Sequence, residues 1–144
     1  MGKEELYKES INNSFITLSN NANKLFDYIG KIAYLVNDYI LDNEYKEKYS
    51  LYRELLFESI KKKNIREFVR NFKVLRNILD IVIERSSNIN NLDYKLYIDK
   101  VTELELLINK NIKEYNDYVY SYDKLKKGLF QKHKEKERFD LIAL

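Results

Sequence analysis

Apolar residues recur along the first forty positions with a helical period. Ile11, Phe15, Leu18, Ala22, Leu25, Ile29, Ile32, Val36 and Tyr39 step alternately by four and three. That is the 3.5-residue seam of helices packed nearly parallel or antiparallel with a left-handed supercoil. A helix over 11–39 would run about 43 Å at 1.5 Å per residue. Gly30 interrupts the seam. Glycine costs about 1 kcal/mol relative to alanine inside a helix, so its presence predicts a close approach or a bend.

Asp42 and Asn43 are cap-type residues and predict a turn. A second helix follows, with Tyr45, Tyr49, Tyr52, Leu56 and Ile60 on one face. It runs into Lys61-Lys62-Lys63, cations that suit the negative end of a helix dipole. Asn64-Ile65-Arg66-Glu67 has the spacing of a capping box and opens a third helix. Ile65, Phe68, Phe72, Leu75, Leu79 and Val82 form its stripe, which ends near Arg85. The polar run 86–91 is the clearest loop in the chain. A fourth helix starts around Leu92, with Tyr94, Tyr97, Val101, Leu104, Ile108, Ile112, Tyr115, Val119 and Tyr122 on its apolar face. It is expected to persist to about Lys127, with Gly128 as a C-terminal stop.

Four amphipathic helices joined by short loops predict an all-α, up-down-up-down antiparallel four-helix bundle. Its first and last helices are the long ones and should project beyond the middle pair at one end. The bundle is assigned to 1–128, and 129–144 to a basic, flexible C-terminal tail. Within that tail Phe139, Leu141, Ile142 and Leu144 are free to dock on the bundle or to fray.

Composition agrees with this picture and removes several chemistries. The 144 residues include no proline and three glycines, too few turn formers for a sandwich or barrel. Absence of cysteine excludes disulfides, thiolate zinc sites and iron–sulfur clusters. Net charge is +3 overall, too mild to announce a nucleic-acid binder. The charge is uneven, however. Lys124, Lys126, Lys127, Lys132, Lys134, Lys136 and Arg138 face only Glu135 and Glu137 between 124 and 138. Such a segment suits an anionic membrane surface, where each cation adds roughly 1 kcal/mol. No stretch reaches the roughly 18 apolar residues of a membrane span, so the chain as written reads as cytoplasmic if complete.

Candidate chemistry is sparse. The single histidine, His133, lies in the charged tail and cannot complete the Glu-x-x-His pairs of a di-metal bundle. Glu103 and Glu105 are two apart and face different sides of a helix. Ser14, Ser19 and Ser50 lack a base partner in any recognisable motif. Lys62, Arg66, Arg70 and Lys73 recur on one flank of the third helix, which reads as a solvated face. No catalytic residue, metal site or cofactor is expected.

The fourth helix carries a recognisable pattern. Tyr115-Asn116-Asp117-Tyr118-Val119-Tyr120-Ser121-Tyr122-Asp123 resembles the YNxxVxxYN signature of the LemA family. Glu105 and Ile108 fall at that family's E-N-x-I segment, and Asp93-Tyr94 at its Asn-Phe. Asp27-Tyr28-Ile29 resembles its D-L-I, with Gly30 in the place of its proline. Phe15 stands where the family has tryptophan, and Asp38-Tyr39 resembles its G-Y. The register between Phe15 and Tyr39 needs no gap, and the resemblance covers roughly 11–123. The chain departs from the family in three respects. The basic run before D-L-I is reduced to Lys24, the Phe-Pro segment after the signature is missing, and Gly128-Leu129-Phe130 stands for a longer G-L-F-G-F tail.

The resemblance implies an all-α bundle associated with a bacterial membrane through an N-terminal helix that this sequence does not show, and it implies no established enzymatic activity. The expectation is a non-enzymatic scaffold or protein-interaction module, membrane-proximal, with a protein partner or a second copy of itself. The alternative is a cytoplasmic accessory bundle that takes a small ligand between its helices. Tyr115, Tyr118 and Tyr122 fall along one side of the fourth helix, a spacing that reads first as bundle core.

Overall fold

A computed structural model describes residues 2–36, 41–129 and 139–144. Four helices account for most of them: α1 Lys3–Val36, α2 Asn43–Lys61, α3 Ile65–Arg85 and α4 Leu92–Leu129. No strand occurs among the described residues.

The helix ends follow their local chemistry. Asp42 caps α2, its side chain accepting from the Tyr45 amide at 3.1 Å. Asn64 caps α3 by accepting from the Glu67 amide at 3.2 Å. Between them Lys63 adopts φ 53°, and the Asn64 amide reaches back to the Ser59 carbonyl at 2.9 Å. That bond closes α2 in the manner of a Schellman turn, usually built on glycine. Gly128 lies inside α4 and has no positive φ. It is not the helix stop that the sequence suggested; a glycine without a left-handed conformation has no capping role to play.

Cross-helix contacts fix the topology. Along α1 and α4, Tyr28 meets Tyr97, Asn21 meets Asn111, Phe15 meets Tyr115 and Glu4 meets Lys126. One number rises as the other falls, so the pair is antiparallel, and it is the most extensive helix contact. Arg85 lies over the Tyr45 ring, which sets α3 antiparallel to α2. Ser86 with Tyr94, and Arg76 with Glu105, set α4 antiparallel to α3. The result is an up-down-up-down four-helix bundle. α1 also packs directly on α3.

The core follows from the stripes. Phe15 and Phe68 meet edge to face at 5.2 Å, and Phe26 and Phe72 at 4.9 Å. Leu18, Leu25, Ile29, Leu75, Leu79, Val101, Ile108 and Val119 fill the layers between them and are buried. Each such side chain contributes about 1.5–3 kcal/mol by leaving water. α2 is the weakest member, with Leu56 its one fully buried apolar residue. It is secured to α1 by polar contacts. Tyr49 donates its hydroxyl to the Phe26 carbonyl at 3.0 Å, and Arg53 bonds both Tyr49 and Asp27 at 2.8 Å. Gly30 sits beside this contact, 3.6 Å from the Tyr49 oxygen to where its Cβ would be.

α1 and α4, of 34 and 38 residues, outrun α2 and α3, of 19 and 21. Phe68, in the first turn of α3, touches Phe15, which in turn touches Tyr115. From Asn116 onward α4 therefore passes beyond the start of α3, for roughly 21 Å at 1.5 Å per residue. No described helix is long and apolar enough to cross a membrane.

Candidate functional site

At the edge of the overhang and along it α4 carries Tyr115, Val119 and Tyr122, spaced by four and three residues and hence on one face. All three are buried. Beside them, at the edge of the stripe, Asn116 is half-buried. With α3 beginning only at this level, the face needs another cover. Residues 139–144, outside any helix or strand, supply it and run antiparallel to α4.

The ring contact and the hydrogen bonds of that segment fall on Tyr115, Asn116 and Tyr122. Phe139 packs edge to face on Tyr122, centroids 5.2 Å apart. The Tyr115 hydroxyl donates to the Asp140 carbonyl at 2.9 Å. Asn116 accepts from the Ile142 amide through Oδ1 at 2.8 Å, and donates through Nδ2 to the Ile142 carbonyl at 2.9 Å. A primary amide is the side chain that offers one donor and one acceptor side by side. It therefore bonds both main-chain groups of one residue, as a neighbouring strand would. The Ile142 side chain is 3% exposed, whereas Leu141 is 59% exposed. Phe139 and Ile142, three residues apart, face α4, and Asp140 and Leu141 between them are exposed. Arg66, at the start of α3, lies 3.7 Å from the Asp140 carboxylate. Both groups are well exposed, so this pair orients more than it stabilises.

Burial, and then the nearby Asp140 carboxylate, push the Tyr115 phenol well above its ordinary value. It is accordingly a neutral donor throughout the physiological range, as the carbonyl bond requires.

The other residues singled out by sequence are dispersed. Ile29 is buried in the core. Asp27 pairs with Arg53. Asp123 is exposed, and Tyr118 is 38% exposed rather than part of the buried side formed by Tyr115 and Tyr122. Lys124 and Lys127 are exposed on the last turns of α4. Lys126 instead turns back to Glu4 at 2.6 Å, and that hydrogen bond holds its ammonium above the ordinary value. Lys132, Lys134, Lys136 and Arg138, like His133, Asp38 and Tyr39, lie outside the described residues. Arg66 and Arg70 on the third-helix flank pair with Asp140 and Glu67.

Among the described residues no three His, Cys, Asp or Glu side chains gather as metal ligands would. Several clefts open on the surface, one of them beside Lys3, Tyr7, Ser121 and Lys124, and two more lie further along the bundle. One, of about 420 Å³, is lined by Asn21, Lys24, Asp27, Tyr28, Lys31 and Lys100 among others. The other, of about 650 Å³, lies between α1 and α2 beside Asn23, Tyr49, Arg53 and Phe57. Neither collects the signature residues. The periodicity places Tyr115, Val119 and Tyr122 on one face, but the role of Asn116 as a main-chain clamp has no signal in spacing. Its partner lies 26 residues away.

No protein-family model matches the chain, and no curated protein or solved structure matches it either.

Proposed function

We propose that this chain is a non-enzymatic, LemA-like helical interaction module that works close to an anionic bacterial membrane surface. The observation that carries the reading is the use made of the signature. Tyr115, Asn116 and Tyr122, within the stretch that resembles the LemA signature, all contact the 139–144 segment, and the polar groups of Tyr115 and Asn116 bond its main chain. A face equipped in this way holds polypeptide. The membrane part of the reading draws on the family resemblance and on the cations that begin at Lys124 and Lys127.

The test of location is co-sedimentation of the full chain with neutral and with anionic vesicles, at low and at high salt. Binding to anionic vesicles alone, weakened by salt and by the double substitution Lys124→Glu/Lys127→Glu, is the expected result. Failure to bind either vesicle removes the membrane surface from the account and leaves the module in need of a protein partner.

A further inference from the structure

We infer that the α4 face centred on Asn116 is a receptor site for an extended segment of a partner protein, with an aromatic residue, an aspartate immediately after it and an aliphatic residue two positions beyond the aspartate. Residues 139–144 are its ligand in cis. The inference rests on the interaction-module half of the proposed function and is independent of the membrane half.

The seated segment defines what the site takes. Position one is an aromatic ring, Phe139 here, standing edge-on against Tyr122. Position two offers a carbonyl to Tyr115 and a carboxylate toward Arg66. Position three, Leu141, points outward and is unconstrained. Position four is aliphatic, its side chain buried and its amide and carbonyl both taken by Asn116. As in strand addition, main-chain bonds supply affinity, but here the two anchoring side chains, three residues apart, supply selectivity. Here one asparagine does the work of a sheet edge.

Two features make the cis segment a competitor rather than a fixed part of the core. The walls of the site do not depend on it, since Tyr115 is packed against Phe15, and Phe15 against Phe68. The segment itself inserts only Phe139 and Ile142, while Asp140, Leu141, Ala143 and Leu144 are exposed. A tethered ligand of this kind lowers the apparent affinity of a free one by the fraction of time it holds the site.

The test uses the full chain and a fluorescein-labelled, amidated peptide of sequence Arg-Phe-Asp-Leu-Ile-Ala-Leu, followed by fluorescence anisotropy. Wild type should bind it weakly. Weakening the cis segment with Phe139→Ala/Ile142→Ala should tighten peptide binding roughly tenfold or more. Adding Asn116→Ala to that variant should abolish the gain, and Asp→Lys in the peptide should weaken it, with partial recovery in Arg66→Glu. Circular dichroism melts confirm that each variant keeps the bundle. If the unlocked variant binds no better than wild type, or if Asn116→Ala leaves binding intact, the receptor site is overturned. Sedimentation of the unlocked and wild-type chains decides the occupant. Monomers support a partner's segment, whereas a dimer dispersed by Asn116→Ala puts a second copy in the site and overturns that assignment. Vesicle binding can fail without affecting any of these results.

Discussion

Asn21 and Asn111, 90 residues apart, meet at 2.7 Å inside the contact between α1 and α4. Both are buried, and each satisfies part of the other. A buried polar pair in a helix seam fixes register at some cost in stability. Removing one partner strands the other, so Asn111→Ala should lower unfolding free energy by about 1–3 kcal/mol. The double substitution Asn21→Leu/Asn111→Leu should recover most of that loss. Urea denaturation of wild type, Asn21→Leu, Asn111→Leu and the double variant measures the coupling. Additive losses would mean that the pair does not interact.

Gly30 should tolerate alanine. The added Cβ would stand 3.6 Å from the Tyr49 hydroxyl, an ordinary contact, and the helix would gain about 0.5–1 kcal/mol from lower backbone entropy in the unfolded chain. Gly30→Leu should do the opposite, because a branched side chain would displace Tyr49 from the Phe26 carbonyl. Thermal melts of the two variants should shift in opposite directions.

The α2–α3 corner offers a second backbone test. Lys63 holds φ 53°, a region that favours glycine. Lys63→Gly should leave the fold intact and raise stability by about 0.5–1 kcal/mol. Asn64→Ala removes the cap on the Glu67 amide and should cost about 1 kcal/mol. Denaturant midpoints read both.

The bundle was legible because its stripes repeat at heptad spacing over all four helices, and the caps at Asp42 and Asn64 carry their own local chemistry. Gly128 misled because a glycine marks a helix end only where the chain turns left-handed, and no neighbouring residue dictates that turn. The site was half legible. Tyr115, Val119 and Tyr122 share a face by periodicity alone. Phe139 and Ile142 were among the tail residues free to dock or to fray, and which of them would cover this face was not readable, since a short segment has no period to recognise and its pairing is with a side chain. Asn21 and Asn111 escaped for a similar reason: each is a single polar residue beside a seam, and nothing local says that the two meet.

Stability at high pH should depend on Tyr115. Its phenol is raised in the folded protein above the ordinary value near 10. The unfolded chain therefore loses this proton first, and the contribution, complete below about pH 10, is lost as pH rises above it. Tyr115→Phe should cost about 1 kcal/mol at neutral pH through the lost bond to the Asp140 carbonyl. It should also flatten the alkaline limb of the stability profile. Melting temperatures between pH 8 and pH 11 for both proteins decide the matter, and parallel profiles would contradict it.

The central claim is that the α4 signature face holds an extended chain through Asn116. Hydrogen exchange at the Ile142 amide, read by NMR in wild type and in Asn116→Ala, tests it most directly. The account predicts that this amide is protected in wild type and exchanges freely in Asn116→Ala, while core amides such as that of Leu75 stay protected in both. An Ile142 amide that exchanges at the rate of an open chain in wild type, or one whose protection survives the substitution, would contradict it.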